Sequence, residues 1–478
     1  MISDAGFSEA NCLEQLGVPA FPSGSKTHGP GADLSQRLDG GTPLETLIRL
    51  FVFGHPVPDD GLVSHPSTAR TVEKLTRFGL ASKRDGVITP LYSLIPVGQN
   101  IFVADRQGTA GQDVDRVMAP APSSRALHSM AIRRAVDHTL DLGSGCGIQA
   151  VAAAASSRQV MGVDVNPRAV EFGRFNAVLN DVSNVDFAVA DLFQPGNGHG
   201  YDHILCNPPF LIGPRMLFVH SSNDLPADKF CREIVSKTPE KINEGGFFQI
   251  VCNWAQSPTE TSREHIEKWF DGSGCDVWVL HSHTENAHEY ARSRANELAK
   301  DISASEELYD DWIHYLDKEN IAAVNYGVIT MRRRSKVGNW FRYDEVPGVR
   351  GMCGRSIELG FSLHDFLDSH SSDDLLLDST LKSSPFLELI QNNNATSKKG
   401  ARIARLGEGL TFSAEFDTDV ADFVGKCDGT EPLRSYLSRA AAIRKTPMEY
   451  LLPGYLSVVR HLIELELLLP VEVLSMLD

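Results

Sequence analysis

Short, almost wholly apolar runs recur through the middle of the chain, separated by longer stretches with helical spacing. The runs at 139–142, 160–165, 185–190 and 203–206 read as strands covered on both faces, the habit of parallel sheets. An Ala-rich helix fills 149–155, and Asn166-Pro167 opens another helix after the second run. Gly245 and Gly246 turn the chain into a fifth strand, CDVWVLH at 275–281 forms a sixth, 285–315 is helical, and AAVNYGVITM at 322–331 is the last strand. Strand and helix in alternation predict an α/β fold: a Rossmann-like, seven-stranded, mostly parallel sheet.

The flanks have a different texture. At 478 residues the chain exceeds the usual limit of one core, so several domains are expected. Residues 1–42 carry Gly, Pro and Ser clusters at 21–25 and 29–31 and read as an irregular leader. Helices at 44–53 and 67–78, the latter closed by Gly79, precede two strands over 87–105 broken at Pro96-Val97-Gly98, a winged-helix-like module with a small β segment. Beyond 121–345, residues 346–478 form an α+β flanking domain, itself winged-helix-like. It has a polar loop at 391–400, strand-like residues at 410–416, and helices at 419–427, 432–441 and 451–469. Leu462, Leu465, Leu467, Leu468 and Leu469 give the last helix an apolar face that packs on its own domain.

The central strands end in chemistry. TLDLGSGCGIQA at 139–150 is a strand, a loop with Gly143, Gly145 and Gly147 at alternate positions, and a helix start. Glycines suit a backbone that passes close to a ligand or adopts positive φ, and a helix N-terminus offers unpaired N–H groups. The spacing is G-x-G-x-G, not the dinucleotide G-x-G-x-x-G, and Asp141 just before it suits a ligand with a positive charge better than a pyrophosphate, which disfavours a nicotinamide enzyme. Asp164 ends the second strand, where a carboxylate can accept ribose hydroxyls, and Asp191 follows the third. The fourth runs into Asn207-Pro208-Pro209-Phe210. Two prolines lock the backbone there and offer no competing donor, leaving the Asn207 side-chain oxygen and the Pro208 carbonyl as fixed acceptors for one NH2 group beside an aromatic ring.

These four strand ends together resemble the class I S-adenosylmethionine-dependent methyltransferases, in the subgroup whose fourth motif is Asn-Pro-Pro-Tyr or Asn-Pro-Pro-Phe. The resemblance spans about residues 120–335, and is to release-factor glutamine methyltransferases and small-domain rRNA guanine methyltransferases. It implies S-adenosylmethionine as cofactor. Asp141, Gly143, Ser144, Gly145 and Gly147 would hold the methionine moiety, Asp164 and Val165 the ribose, Asp191 and Leu192 the adenine. Asn207 with Pro208, Pro209 and Phe210 would hold the acceptor. The function it implies is N-methylation of a planar NH2 group, first a protein glutamine amide, with an exocyclic amine of guanine or adenine in RNA or DNA as the alternative. Phe210 stands where the glutamine enzymes usually have Tyr. A further alternative is a non-catalytic cofactor-binding scaffold whose flanks hold a partner protein.

Composition bears on the partner. Net charge is −17, and residues 121–345 hold 22 Lys and Arg against 30 Asp and Glu, so the average surface repels a polyanion. The dense basic cluster is Arg332, Arg333, Arg334 and Lys336, read as a solvated strand exit rather than an RNA patch. With only ten basic residues in the first 120, the N-terminal module is read as docking substrate or partner. Trp254 and Tyr326 are read as core. His281, His283 and His288 lack a regular ligand spacing, so no metal is expected. The 8 cysteines form no Cys-x-x-Cys pair, and neither signal peptide nor long apolar span is present, so the expectation is a cytoplasmic protein with reduced thiols and no membrane association.

Overall fold

The computed structural model describes residues 5–19, 21, 34–38, 41–59, 66–106, 115–192, 200–214, 225–299, 302–335, 338–346, 348–391, 402–416 and 418–477. Their contacts form two compact units, residues 1–128 with 135–344, and residues 129–134 with 345–478.

The first unit is built on one sheet. Its strands are β1 (Val136–Leu142), β2 (Ser157–Asp164), β3 (Val185–Val189), β4 (Tyr201–Cys206), β5 (Ile242–Gln256), β6 (Cys275–Asn286), β7 (Ala323–Arg333) and β8 (Phe341–Glu345). Helices α1 (Ile148–Ala153), α2 (Pro167–Leu179), α3 (Lys229–Lys237), α4 (Ser262–Glu267), α5 (Ala287–Leu298) and α6 (Ile302–Lys318) connect them. The strand order is β8-β6-β7-β5-β4-β1-β2-β3, with β1 to β5 running parallel to one another and β7 antiparallel to both β5 and β6. The expected seven strands are therefore eight. Phe341–Glu345 adds an outer strand beside β6, where Trp278 Nε1 donates to Asp344 at 2.8 Å.

Register makes one edge of the sheet special. Leu142 pairs with Val163 and with Cys206, and Asp164 with Val189, so β1, β2, β3 and β4 end level. Strand order reverses between β1 and β4, the position where open α/β sheets bind ligands. β5 continues from its last β4 partner, Ile250, through Gln256, and β6 and β7 accompany it to Asn286 and Ala323. At about 3.3 Å per residue this leaves a three-stranded wall about 20 Å tall above the carboxyl edge.

Several local expectations are corrected. The segment 285–315 is two helices, because Ala299 is extended after α5. Within the leader, Glu9–Leu16 is a helix capped by Ser8 and by left-handed Gly17, held by burial of Phe7, Cys12 and Leu16; the clusters at 22–25 and 29–31 lie outside the described residues. Residues 81–105 hold strands Ala81–Arg84, Val87–Pro90, Tyr92–Val97 and Asn100–Asp105, the first hairpin turning at Asp85-Gly86, both at positive φ. In the second unit, the helix expected to reach 469 stops at Glu464. Glu466 takes a φ of 60°, and Leu468–Pro470 pairs with Leu381–Ser383 instead, burying three consecutive leucines that one helical stripe could not cover. The polar loop at 392–400 lies outside the described residues. No helix among the described residues is long and apolar enough to cross a membrane.

Close packing of β2, α2 and the glycine loop depends on Phe187. A Cβ on Gly173 would sit 2.4 Å from its ring, on Gly162 2.5 Å, and on Gly147 3.0 Å. Gly173→Ala would raise helix propensity by about 1 kcal/mol, but with the ring enclosed on three sides overpacking by about 1–3 kcal/mol outweighs it. Urea unfolding should show a net loss of stability; a gain would contradict the packing.

Candidate functional site

The glycine loop leaves β1 with its backbone bare. Gly143, Gly145 and Gly147 have φ of 69°, 52° and 84°. A Cβ on Gly143 or Gly145 would meet no described atom within 4 Å, so these two face open space, whereas Gly147 serves packing. Five ties hold the loop. Gly143 N and Ser144 N donate to Val163 O at 2.9 Å, Gly145 N donates to Asp164 Oδ2 at 2.9 Å, Gly147 N to Ser144 O at 2.7 Å, and Cys146 O accepts from Asn176 Nδ2 at 2.8 Å. Asp141 is 2% exposed, and its Oδ2 accepts from Ala150 N in the first turn of α1 at 2.9 Å. This bond ties the end of β1 to the start of α1.

The other strand ends emerge on the same edge. Asp164 is half-buried, and its Oδ1 accepts from Asn166 N at 2.9 Å; Val165 beside it is half-buried. Asn166 caps α2 through Arg168 N and donates to Asp115 O at 2.7 Å. Asp191 is exposed and makes no hydrogen bond or ion pair among the described residues, and Leu192, at φ 47°, packs on the central core cluster. Ser144 is 4% exposed, with an Oγ that has no hydrogen-bond partner among the described residues. Burial pushes the Cys146 thiol up to about 12, so the cysteine in the loop stays protonated and is no nucleophile.

Asn207 follows Cys206, whose partner Leu142 precedes Gly143, so Asn207 and the glycine loop open side by side at the switch point. Asn207 Nδ2 donates to Ser124 Oγ at 2.9 Å, which leaves Oδ1 to face a ligand. Ser124, 8% exposed on the helix Pro122–Met130, accepts through its carbonyl from Gln149 Nε2 on α1 at 2.8 Å. Pro208 is buried, Pro209 exposed, and Phe210 half-buried against the central core cluster. Two residues on, Ile212 N donates to Tyr290 Oη at 3.0 Å and Gly213 lies against Trp312, so α5 and α6 fix the far end of the turn. Sequence reasoning missed Ser124, Gln149 and Asn176. Ser124 lies 83 residues from Asn207, and no local signal pairs them; two asparagines one turn apart on α2, Asn176 and Asn180, were a readable signal.

The remaining candidates separate. Trp254 is fully buried and donates to Ser262 Oγ at 2.9 Å, a core residue. Tyr326 stacks on His283 with ring centroids 4.1 Å apart and bonds Glu285 on the wall. His281 is buried against Thr284, His283 and His288 are exposed, and no group of three metal-binding side chains exists among the described residues. All 8 cysteines are free and buried. The basic cluster lies at the opposite edge of the sheet, because antiparallel β7 ends where β5 begins: Arg332 pairs with Phe247. Asp276, fully buried, takes Arg332 at 2.6 Å and Arg334 at 3.3 Å, while Arg333 donates to Ser273 O; Lys336 lies outside the described residues.

The pattern of the methyltransferase small domain matches residues 122–272. A Methanocaldococcus jannaschii protein, provisionally named a protein N5-glutamine methyltransferase, is 33% identical over 159 residues, 32% of this chain and 78% of its own length. The chain belongs to the methyltransferase small domain family. Release factor glutamine methyltransferase of Vibrio cholerae is 30% identical over 158 residues, 29% of this chain and 54% of that enzyme, so the chain spans about half of it. The crystal structure of the M. jannaschii tRNA m1G37 methyltransferase aligns at 12% identity and TM-score 0.31, covering 52% of this chain and 58% of that one. The protein is a methyltransferase whose methyl donor is S-adenosylmethionine. Bare backbone at Gly143 and Gly145, the unpartnered buried Ser144 hydroxyl and the unpaired Asp191 carboxylate fit a cationic donor rich in hydroxyl and amino groups.

Below the wall, Asp228 Oδ2 accepts from Ala255 N and from His265 Nε2, both at 2.8 Å, and His265 Nδ1 faces Glu260 at 3.4 Å. Burial alone would lower the His265 pKa, but Asp228 and Glu260 outweigh it and the net direction is upward. The pair therefore contributes stability that is full below the unfolded value of about 6.5 and lost as pH rises through the higher folded value. The unfolding free energy of wild type minus His265→Gln should shrink as pH climbs through that window; a flat difference would show that the imidazole is not charged.

Proposed function

We propose that the protein transfers a methyl group to a planar NH2 nitrogen, a protein glutamine amide foremost. The observation that carries it is the Asn207 amide, tied through Nδ2 to Ser124, set on two prolines and adjacent to the glycine loop. In this reading the loop with Ser144 holds the methionine end of the donor, Asp164 and Val165 the ribose, and Asp191 and Leu192 the adenine. When bound, S-adenosylmethionine supplies an activated sulfonium methyl. The protein then orients the acceptor nitrogen, whose lone pair takes the methyl as the S–CH3 bond breaks and the neutral thioether leaves. The nitrogen sheds its extra proton late, to water, so no strong base is needed. Asn207 Oδ1 and the Pro208 carbonyl accept the two N–H bonds of the acceptor, which favours the charge that develops on nitrogen, and Phe210 packs on its plane. Ser124 is a positioning residue, since its hydroxyl anchors the Asn207 amide through Nδ2.

A protein acceptor is supported by the names of the relatives, the charge of −17, and a basic cluster partly neutralised by Asp276 at the far edge of the sheet. The flanking modules at 43–120 and 346–478 are proposed to dock that substrate, in the cytoplasm.

Transfer of labelled methyl from S-adenosylmethionine into an extract split into protein, RNA and small-molecule fractions tests this. Label is expected in the protein fraction, as methylated glutamine; label in RNA would replace the acceptor assignment with a nucleobase, and label nowhere would favour a scaffold. Asn207→Ala should reduce kcat about 100-fold or more with donor affinity retained, whereas Asp164→Ala should weaken donor binding by about 1–3 kcal/mol. Ser124→Ala should lower kcat about ten-fold at unchanged donor affinity, with Ser124→Thr restoring it.

A further inference from the structure

The glycine loop is also tied to the N-terminal part of its unit. Asn176 and Asn180, one turn apart on α2, each grip the backbone of the strand Asn100–Asp105 with a full amide. Asn176 Oδ1 accepts from Val103 N at 2.8 Å and its Nδ2 donates to Val103 O at 2.9 Å. Asn180 Oδ1 accepts from Ile101 N and its Nδ2 donates to Ile101 O, both at 2.8 Å. Their remaining amide hydrogens diverge. Asn180 returns its own to Asn176 O in the same helix at 2.8 Å, whereas Asn176 donates to Cys146 O in the glycine loop at 2.8 Å.

We propose that Asn176 makes the strand Asn100–Asp105 part of the donor site, as a positioning residue that sets the curvature of the glycine loop; this rests on the loop being where the donor binds. Asn176 is fully buried, so no water can replace a lost partner, and one strand residue, Val103, fixes the plane of the amide. That plane then sets the direction of the Cys146 carbonyl, between Gly145 and Gly147 at positive φ. α2 lies hard against the same turn, with a Cβ on Gly147 only 3.1 Å from Gly173 Cα, so the loop cannot shift toward the helix to compensate. The strand thus reaches the donor loop through the Asn176 side chain. The module upstream of the catalytic sheet acts on donor affinity without touching the donor.

Calorimetric titration of the full-length chain with S-adenosylmethionine separates this from a merely structural role. Asn176→Ala and Asn176→Asp, the second keeping the size and the acceptor for Val103 N but losing both donors, should each weaken donor affinity about ten-fold, while Asn180→Ala, which cuts an equivalent pair of bonds to the strand, stays within about two-fold. Partial unfolding of a variant would lower the number of sites per chain rather than the affinity of those that remain. Asn176 variants that bind like wild type beside a weakened Asp164→Ala would overturn the role of Asn176 alone, as would an Asn180→Ala loss equal to theirs. Normal binding by Asp164→Ala would overturn the loop as donor site and this inference with it.

Discussion

The Phe187 ring occupies the space that Gly147, Gly162 and Gly173 leave, and the geometry of the donor side follows from that contact. Without three missing side chains the loop, β2 and α2 could not converge on one ring; without the ring they would enclose a void. Once they converge, Gly145 N reaches the Asp164 carboxylate and Cys146 O reaches Asn176. The loop is then held by fixed hydrogen bonds on one side and left open at Gly143 and Gly145 on the other, the preorganisation that the proposed donor site calls for.

The acceptor side rests on register. Because Leu142 and Cys206 are partners, the glycine loop and Asn207 leave the sheet side by side. The wall of β5, β6 and β7 rises beyond Asn207 and carries its own polar surface, including the stacked His283 and Tyr326. Antiparallel β7 carries Arg332 to Arg334 to the opposite edge, where Asp276 neutralises part of their charge, so a cluster that is prominent in sequence has no part in the site.

The N-terminal part of the chain shares a compact unit with the sheet. Arg168 of α2 pairs with both carboxylate oxygens of Asp105 at 2.5 and 2.6 Å, and Asn176 and Asn180 hold the adjacent backbone. This fixes one strand of the N-terminal region to the helix that supports the donor loop. The Arg168 bonds are charged and the Asn176 bonds buried, the kinds worth most to stability.

The order of strands and helices, the class of fold, and the four strand-end motifs were legible in the sequence because each is a local pattern: apolar runs of strand length, glycines at alternate positions, an asparagine before two prolines. Asp141 showed as an acid before a glycine loop, but only packing decided that it is buried and bonded to Ala150. The eighth strand, the break at Ala299 and the conversion of 468–470 to a strand depend on which partner lay alongside. Ser124 and Gln149 behind Asn207 were not legible, since their partners lie 83 and 25 residues away; the Asn176 and Asn180 pair on α2 was a readable pattern, but the partner of Asn176 at Cys146, 30 residues away, was not. Local pattern determines which groups arrive at the edge of the sheet; only the tertiary structure decides which atoms of those groups are already engaged and which are left to face a ligand, because hydrogen bonds between distant segments have no sequence periodicity.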